Sequence, residues 1–308
     1  MNSFIKSFVF TNLIFLISFY SYCEYLIRER IEPNDVLFES LRFIKYSDNN
    51  WVALGDSRPS RNLAKSNFIS NWSFGSENLD VVKEKCTYLI REKKAVKYVL
   101  LQADPHIFCH NLLSFDSPHY DLVYSLNNSF NNPIKCFSSY HKGKLLKYIE
   151  SRFSNDLLTS RYFLSKNGSI VEKKQLSWGD LSSEQRTINA RHRFFIDQSP
   201  VDYWNESRFY ELYSNLLQEL ISNDIIIVMI SYPISTEYFN EIKNNKIVND
   251  IKQFFADTAL TFDGIYYLDL SSSITNPSLF QDQDHLNSKG TEFFNHILRR
   301  NLTELNLI

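Results

Sequence analysis

The sequence predicts an α/β fold: a three-layer sandwich on a mostly parallel five-stranded sheet, with a large insertion between the third and fourth core strands. Three observations carry that expectation. Five short apolar runs, at 51–56, 68–74, 96–103, 225–232 and 265–270, are nearly continuous rather than alternating, which suits strands covered on both faces. Segments with helical spacing of apolar residues separate several of them. The interval 105–205 is polar and aromatic and too long for a simple crossover.

In chain order, residues 1–6 form a short tail and 7–27 a transmembrane signal-anchor. Residues 7–23, SFVFTNLIFLISFYSYC, hold no charge, and Tyr25, Leu26 and Ile27 extend the run toward the roughly 20 residues a helical span needs. A cleaved signal peptide and a buried or peripheral helix are the competing readings. The first lacks a small-x-small cleavage site. Lys6 lies before the segment and Arg28 and Arg30 after it, diluted by Glu24 and Glu29, so the positive-inside rule gives no orientation. Residues 28–50 read as a linker and a leading helix from about Val36, capped by Asn34 or Asp35.

The remainder, 51–308, reads as one domain. WVALGD is its first strand, FISNWSF its second, VKYVLLQA its third, IIIVMISY its fourth and IYYLDL its fifth. Helices are expected over 77–94, over 206–222 (Phe209, Leu212, Leu216, Leu217 and Leu220 share a face), over 237–256, and from Ser288 to Leu302. The insertion 105–205 is read as a cap or flank to a site at the carboxyl ends of the strands.

Composition narrows the function. The net charge of −2 argues against general nucleic-acid binding, which needs a basic surface. The four cysteines at 23, 86, 109 and 136 have no metal-type spacing. Cys23 ends the apolar segment, a disulfide among Cys86, Cys109 and Cys136 cannot be paired from sequence, and Cys86 is taken by default as a small buried hydrophobe. His106 and His110 lie four apart, but no carboxylate completes a zinc set. Neither a metal nor a cofactor is expected.

Two segments carry chemistry. In Leu54-Gly55-Asp56-Ser57-Arg58 a strand ends in a glycine that permits a tight turn, followed by an exposed hydroxyl at the sheet's carboxyl edge. The bland reading of Ser57 is a helix cap. In Phe280-Gln281-Asp282-Gln283-Asp284-His285-Leu286-Asn287-Ser288-Lys289-Gly290, His285 has the chemistry to deprotonate a serine, and Asp282 is spaced to orient its ring. Asp284 is the alternative orienter, disfavoured because adjacent side chains diverge. The bland reading is a loop histidine before a Ser288 cap. Arg58 either contacts an anionic substrate or steadies the turn through Asp56.

These blocks resemble those of the SGNH, or GDSL-like, hydrolase superfamily. More narrowly they resemble its membrane-anchored cell-envelope branch, which includes alginate O-acetyltransferases and the protein acting in teichoic-acid D-alanylation. Gly55-Asp56-Ser57 matches the nucleophile block, and Asp282-x-x-His285 with Leu286, Asn287 and Gly290 matches the closing block, in the right order. The resemblance implies Ser57, His285 and Asp282 as the catalytic set. It implies the backbone N–H groups of Ser57 and Gly75, from Phe74-Gly75-Ser76, as oxyanion donors. Where the superfamily places a donor Asn after the third strand, this chain has Gln102-Ala103-Asp104-Pro105, and an ionised Asp104 cannot donate. Arg58, Asp104, Trp178, Arg191 and His192 are candidate substrate contacts. The implied function is a serine esterase or O-acyltransferase acting outside the cytoplasm on a cell-envelope or exported polysaccharide, with a membrane acyl-donor protein as a possible partner. A lipase or small-ester esterase, and a catalytically degenerate carbohydrate-binding or assembly protein, are the alternatives.

Overall fold

The computed structural model describes residues 3–32, 35–63, 66–93, 95–113 and 177–308, with short stretches between 120 and 172. Five strands, β1 (Trp51–Leu54), β2 (Ser70–Asn71), β3 (Tyr98–Gln102), β4 (Ile226–Ser231) and β5 (Ile265–Asp269), form one sheet in the order β2-β1-β3-β4-β5. Every neighbouring pair in it is parallel. This is a doubly wound order, with the chain reversing direction across the sheet between β1 and β3. The second strand is much shorter than the apolar run 68–74: Ile69, Trp72 and Phe74 are buried by packing outside the ladder.

Alternation along each strand sorts side chains into two cores. Val52, Leu54, Val99, Leu101, Ile227 and Met229 face one way, while Trp51, Ala53, Leu100, Val228 and Ile230 face the other. On the first face lie α2 (Val36–Tyr46), α4 (Leu79–Glu92), α6 (Arg208–Ile221) and α8 (Lys246–Thr261). On the second lies α9 (Ser288–Glu304), through Phe294, Leu298 and Leu302. The helix expected over 237–256 is two helices, α7 (Thr236–Ile242) and α8, because Asn245 caps a new start by accepting from the Val248 N–H. Each of these ends is fixed by a local polar side chain: Asp35 caps α2, Asn78 caps α4 and Ser207 caps α6.

Between β3 and β4, the described part of the insertion contains a two-stranded antiparallel ribbon (Tyr162–Leu164 with Ile170–Glu172) and α5 (Ser183–His192). A π-helical turn, Arg193–Gln198, continues α5. The N-terminal helix α1 runs Ser3–Leu26 and continues in a π turn to Ile31. It is long and apolar enough to cross a membrane, and none of its apolar window is buried against the domain. An anchor and a signal sequence share that length and composition. Cys23, Cys86 and Cys109 are free and buried; Cys136 lies outside the described residues.

Candidate active site at the carboxyl edge of the sheet

Ser57 opens α3 (Ser57–Asn62) immediately beyond β1. Gly55 makes the turn possible. It sits at φ +152°, and a Cβ there would lie 2.4 Å from Gln102 Oε1 and 2.7 Å from Pro59 Cγ. Asp56 caps the helix, its side chain accepting from the Arg58 N–H at 2.9 Å. Ser57 is the one residue of 51–60 that is not buried.

The second segment reaches Ser57 from the opposite end of the chain. Asp282 folds back on its own loop, Oδ1 accepting from the Asp284 N–H at 3.1 Å and the His285 N–H at 2.9 Å. The loop is closed by the Gln281 N–H donating to the His285 carbonyl and by a bridge between Phe280 and Leu286. Leu286 N–H donates to Asn62 Oδ1 at 3.0 Å, locking the loop to α3. Asn287, rather than Ser288, caps α9, accepting from the Lys289 and Gly290 N–H groups. Gly290 is needed because a Cβ there would lie 1.9 Å from the Leu279 carbonyl oxygen.

These constraints bring together what the sequence separates by 228 positions: His285 Nε2 lies 2.9 Å from Ser57 Oγ. On the far side of the ring, Nδ1 lies 2.9 and 3.0 Å from the two Asp282 oxygens. Asp284 Oδ1 is 3.4 Å from the same nitrogen. His285 therefore faces two carboxylates, with Asp282 the closer. Gly75 stands beside the hydroxyl: a Cβ on it would be 3.8 Å from Ser57 Cβ. No hydrogen bond among the described residues takes the N–H of Ser57 or of Gly75.

The turn carrying Gly75 is braced from below. Glu77 accepts from the Phe74 N–H at 3.2 Å and pairs with the fully buried Lys85 at 2.6 Å. Lys85 also donates to the Trp72 carbonyl and lies 3.7 Å from the centre of the Phe74 ring. Burial pushes Glu77 up to about 7 and Lys85 down, each opposed by its partner's charge.

Arg58 and Asp104 are not on the open side of the site. The Arg58 guanidinium is buried and spans Asp104 at 3.0 Å and Asp284 at 3.5 Å. Burial alone lowers its pKa, but Asp104 and Asp284 more than reverse that, so it stays charged. Asp104 also accepts from the Tyr232 N–H at 3.0 Å and from Gln102 Nε2 at 3.1 Å. Burial raises its pKa against the pull of Arg58 and His106. The residue standing in the donor-Asn position thus accepts two hydrogen bonds and pairs with the Arg58 charge. Trp178 is buried, its indole N–H donating to Glu237 at 3.3 Å. Arg191 pairs with Glu241 of α7 at 3.2 Å, and His192 is exposed.

Two participants, Arg193 and His106, were not legible in sequence, and Asp284 was legible only as an alternative orienter of His285. Arg193, next to the two residues singled out, reaches Asp284 at 3.5 Å. Asp284 is buried, which raises its pKa, but His285, Arg193 and Arg58 hold it well below the usual carboxylate range. His106, weighed only as a metal ligand, has Nε2 2.6 Å from Asp56 Oδ2. The signal for Arg193 was the cluster Arg186, Arg191, His192, Arg193, which marks a basic surface without saying which member turns inward.

No protein-family model matches the chain, and no curated protein matches it. A crystal structure from Bacteroides fragilis NCTC 9343, described as a "putative acylhydrolase", is similar at 10% identity over 86% of this chain and 94% of that one, with a TM-score of 0.41. A likeness at that level decides nothing about chemistry.

Proposed function

We propose that the protein is a serine-dependent acyl-ester hydrolase or O-acyltransferase. The observation that carries this reading is the continuous hydrogen-bonded line from Ser57 Oγ through His285 to Asp282, at 2.9 Å on each side of the ring. Ser57 Oγ attacks the ester carbonyl carbon as His285 Nε2 takes its proton. Asp282 holds the ring's other nitrogen as the donor and stabilises the imidazolium. The carbonyl oxygen, now negative, is met by the Ser57 and Gly75 N–H groups, and one such donor is worth about 3 kcal/mol in the transition state. The tetrahedral adduct collapses, and His285 returns the proton to the departing alcohol, leaving an acyl-Ser57. Water or a second alcohol then attacks in the same way, His285 taking its proton and passing it to Ser57 Oγ as the acyl–oxygen bond breaks, which frees the hydroxyl.

The finer reading is an extracytoplasmic enzyme working on a cell-envelope or exported polysaccharide, with an acyl donor supplied by a membrane partner in the transferase case. It is supported by the resemblance of the two sequence blocks and by an N-terminal helix of membrane-spanning length. The test is turnover of a chromogenic acetyl ester by the full chain in detergent, wild type beside Ser57→Ala, with and without oligosaccharide acceptors. Hydrolysis lost in Ser57→Ala supports the serine mechanism, and acetylated sugar formed only by wild type selects transfer. Equal rates in both proteins overturn it.

A further inference from the structure

α1 leaves the domain with its apolar side chains uncovered, including Phe4, Phe10 and Phe15. The first residues to be covered along α1 and the π turn after it are Cys23, Leu26, Ile27 and Ile31, and among the described residues they cluster with Leu145 and Tyr148 of the insertion. These six form a small apolar cluster separate from both faces of the sheet. Residues 142–146 and 148–149 are helical, and Lys144 Nζ ties the segment to Asp35, the cap of α2, at 2.5 Å. Around this junction the chain changes character. Tyr20, Tyr22 and Tyr25 are followed by Arg28 and Arg30, the order in which aromatic and cationic side chains cross a membrane–water boundary.

Between α1 and the 142–149 segment runs an open groove of about 550 Å³. Phe19, Tyr22, Leu26 and Arg30 line it from one face of the helix, and Tyr148 and Ile149 close the other side. Leu146 of the segment is 60% exposed, Ile149 at the groove edge 39%, and Lys142 is exposed as well. We propose that this groove and the outer face of the 142–149 segment seat a bilayer phospholipid, its acyl chain along Phe19–Leu26 and an anionic headgroup at Arg30 and Lys142. The inference rests on α1 being embedded in a membrane. The groove walls are continuous with the surface α1 would present to lipid, and Arg30, the charged residue among its lining, stands at the end of α1's apolar run. The seat gives the domain a second point of contact, so that one helix and one interfacial segment together fix how the domain faces the membrane.

The test uses the full chain in phosphatidylcholine vesicles, with and without phosphatidylglycerol, labelled with a thiol-reactive bimane. Labels go on Leu146→Cys, Ile149→Cys, Leu13→Cys and, as a distant control, Leu260→Cys, with labelling of the unsubstituted chain subtracted. Doxyl lipids that quench near the headgroup should dim the bimane at 146 and 149, deep doxyl lipids should dim 13, and neither should dim 260. Arg30→Gln should lower the preference for phosphatidylglycerol vesicles roughly fivefold, the worth of one charge beside an anionic surface. Quenching at 13 with none at 146 or 149 overturns the seat alone. Self-quenching between labelled copies at 146 in its place assigns the groove to a second chain and also overturns it. No quenching at 13 removes the embedded helix, and the seat with it.

Discussion

Two histidine–aspartate couples among the described residues differ in what the second nitrogen meets. In His285–Asp282 one nitrogen faces the carboxylate at 2.9 Å and the other faces the Ser57 hydroxyl at 2.9 Å. In His106–Asp56 the contact is shorter, 2.6 Å, but the remaining nitrogen is buried and has no hydrogen-bond partner among the described residues. Asp282 is one-third exposed, whereas Asp56 and His106 are both buried. A histidine–carboxylate pair is therefore not in itself a catalytic device. It becomes one where a hydroxyl that substrate can reach lies on the ring's free side. The buried couple has a different use: His106 holds Asp56, and Asp56 caps the helix that begins at Ser57.

The largest expected effect separates the two couples by activity. Ser57→Ala and His285→Ala should each lower kcat by about 10⁶-fold, by analogy with triads that act as a unit, with the melting temperature nearly unchanged. Loss of stability on the same scale as loss of turnover in either variant would mean that the line is structural. Within the outer couple, Asp282→Asn should cost about 10⁴-fold in kcat by favouring the wrong tautomer of His285. Asp284→Asn should cost only about tenfold, because Asp284 stands farther from the ring and is held by Arg58 and Arg193. Reversed ranks in steady-state kinetics would make Asp284 the orienting carboxylate.

The inner couple should fail by stability. His106→Ala leaves Asp56 buried beside a vacant site and should cost about 3–5 kcal/mol, read as a lower melting temperature, with turnover per folded molecule largely kept. The smallest effect is in pH. Burial raises the Asp56 pKa, but His106, the Arg58 N–H and the Arg58 charge together bring it down to about 2 from its ordinary 3.8. A carboxylate depressed by folding stabilises the native state above its unfolded pKa, and that contribution, about 2 kcal/mol, is lost as pH falls from roughly 4 to 2. The acid side of a melting-temperature profile should be flatter in Asp56→Asn than in wild type.

How much was legible can be argued from the same residues. The five strands are visible because each carries four or more consecutive apolar residues or a close approach to that, except β2, where packing outside the ladder mimics a longer strand. The Ser57 and His285 blocks are visible because each is local: a glycine where β3 presses on the turn, and an aspartate three residues before a histidine, spaced to meet it. Arg58 was not, because a charged residue beside a nucleophile reads as a substrate contact until its two buried partners, 46 and 226 positions away, are known to face it. Trp178, Arg191 and His192 were marked as substrate contacts by composition, and Trp178 and Arg191 turn out to pair with Glu237 and Glu241.

By itself the sequence determined the parallel α/β architecture, the membrane-length helix, and which serine, histidine and aspartate stand at the strand ends, since these depend on periodicity and short spacing. Only the tertiary structure decided that Asp284 is clamped by Arg58 and Arg193, that Asp104 is buried facing Arg58, Gln102 and the Tyr232 N–H, and that His106 supports the turn carrying Ser57. Each of those depends on which charged groups are taken out of water together. That is fixed by contacts between distant parts of the chain, where an unpaired charge costs far more than it does on the surface.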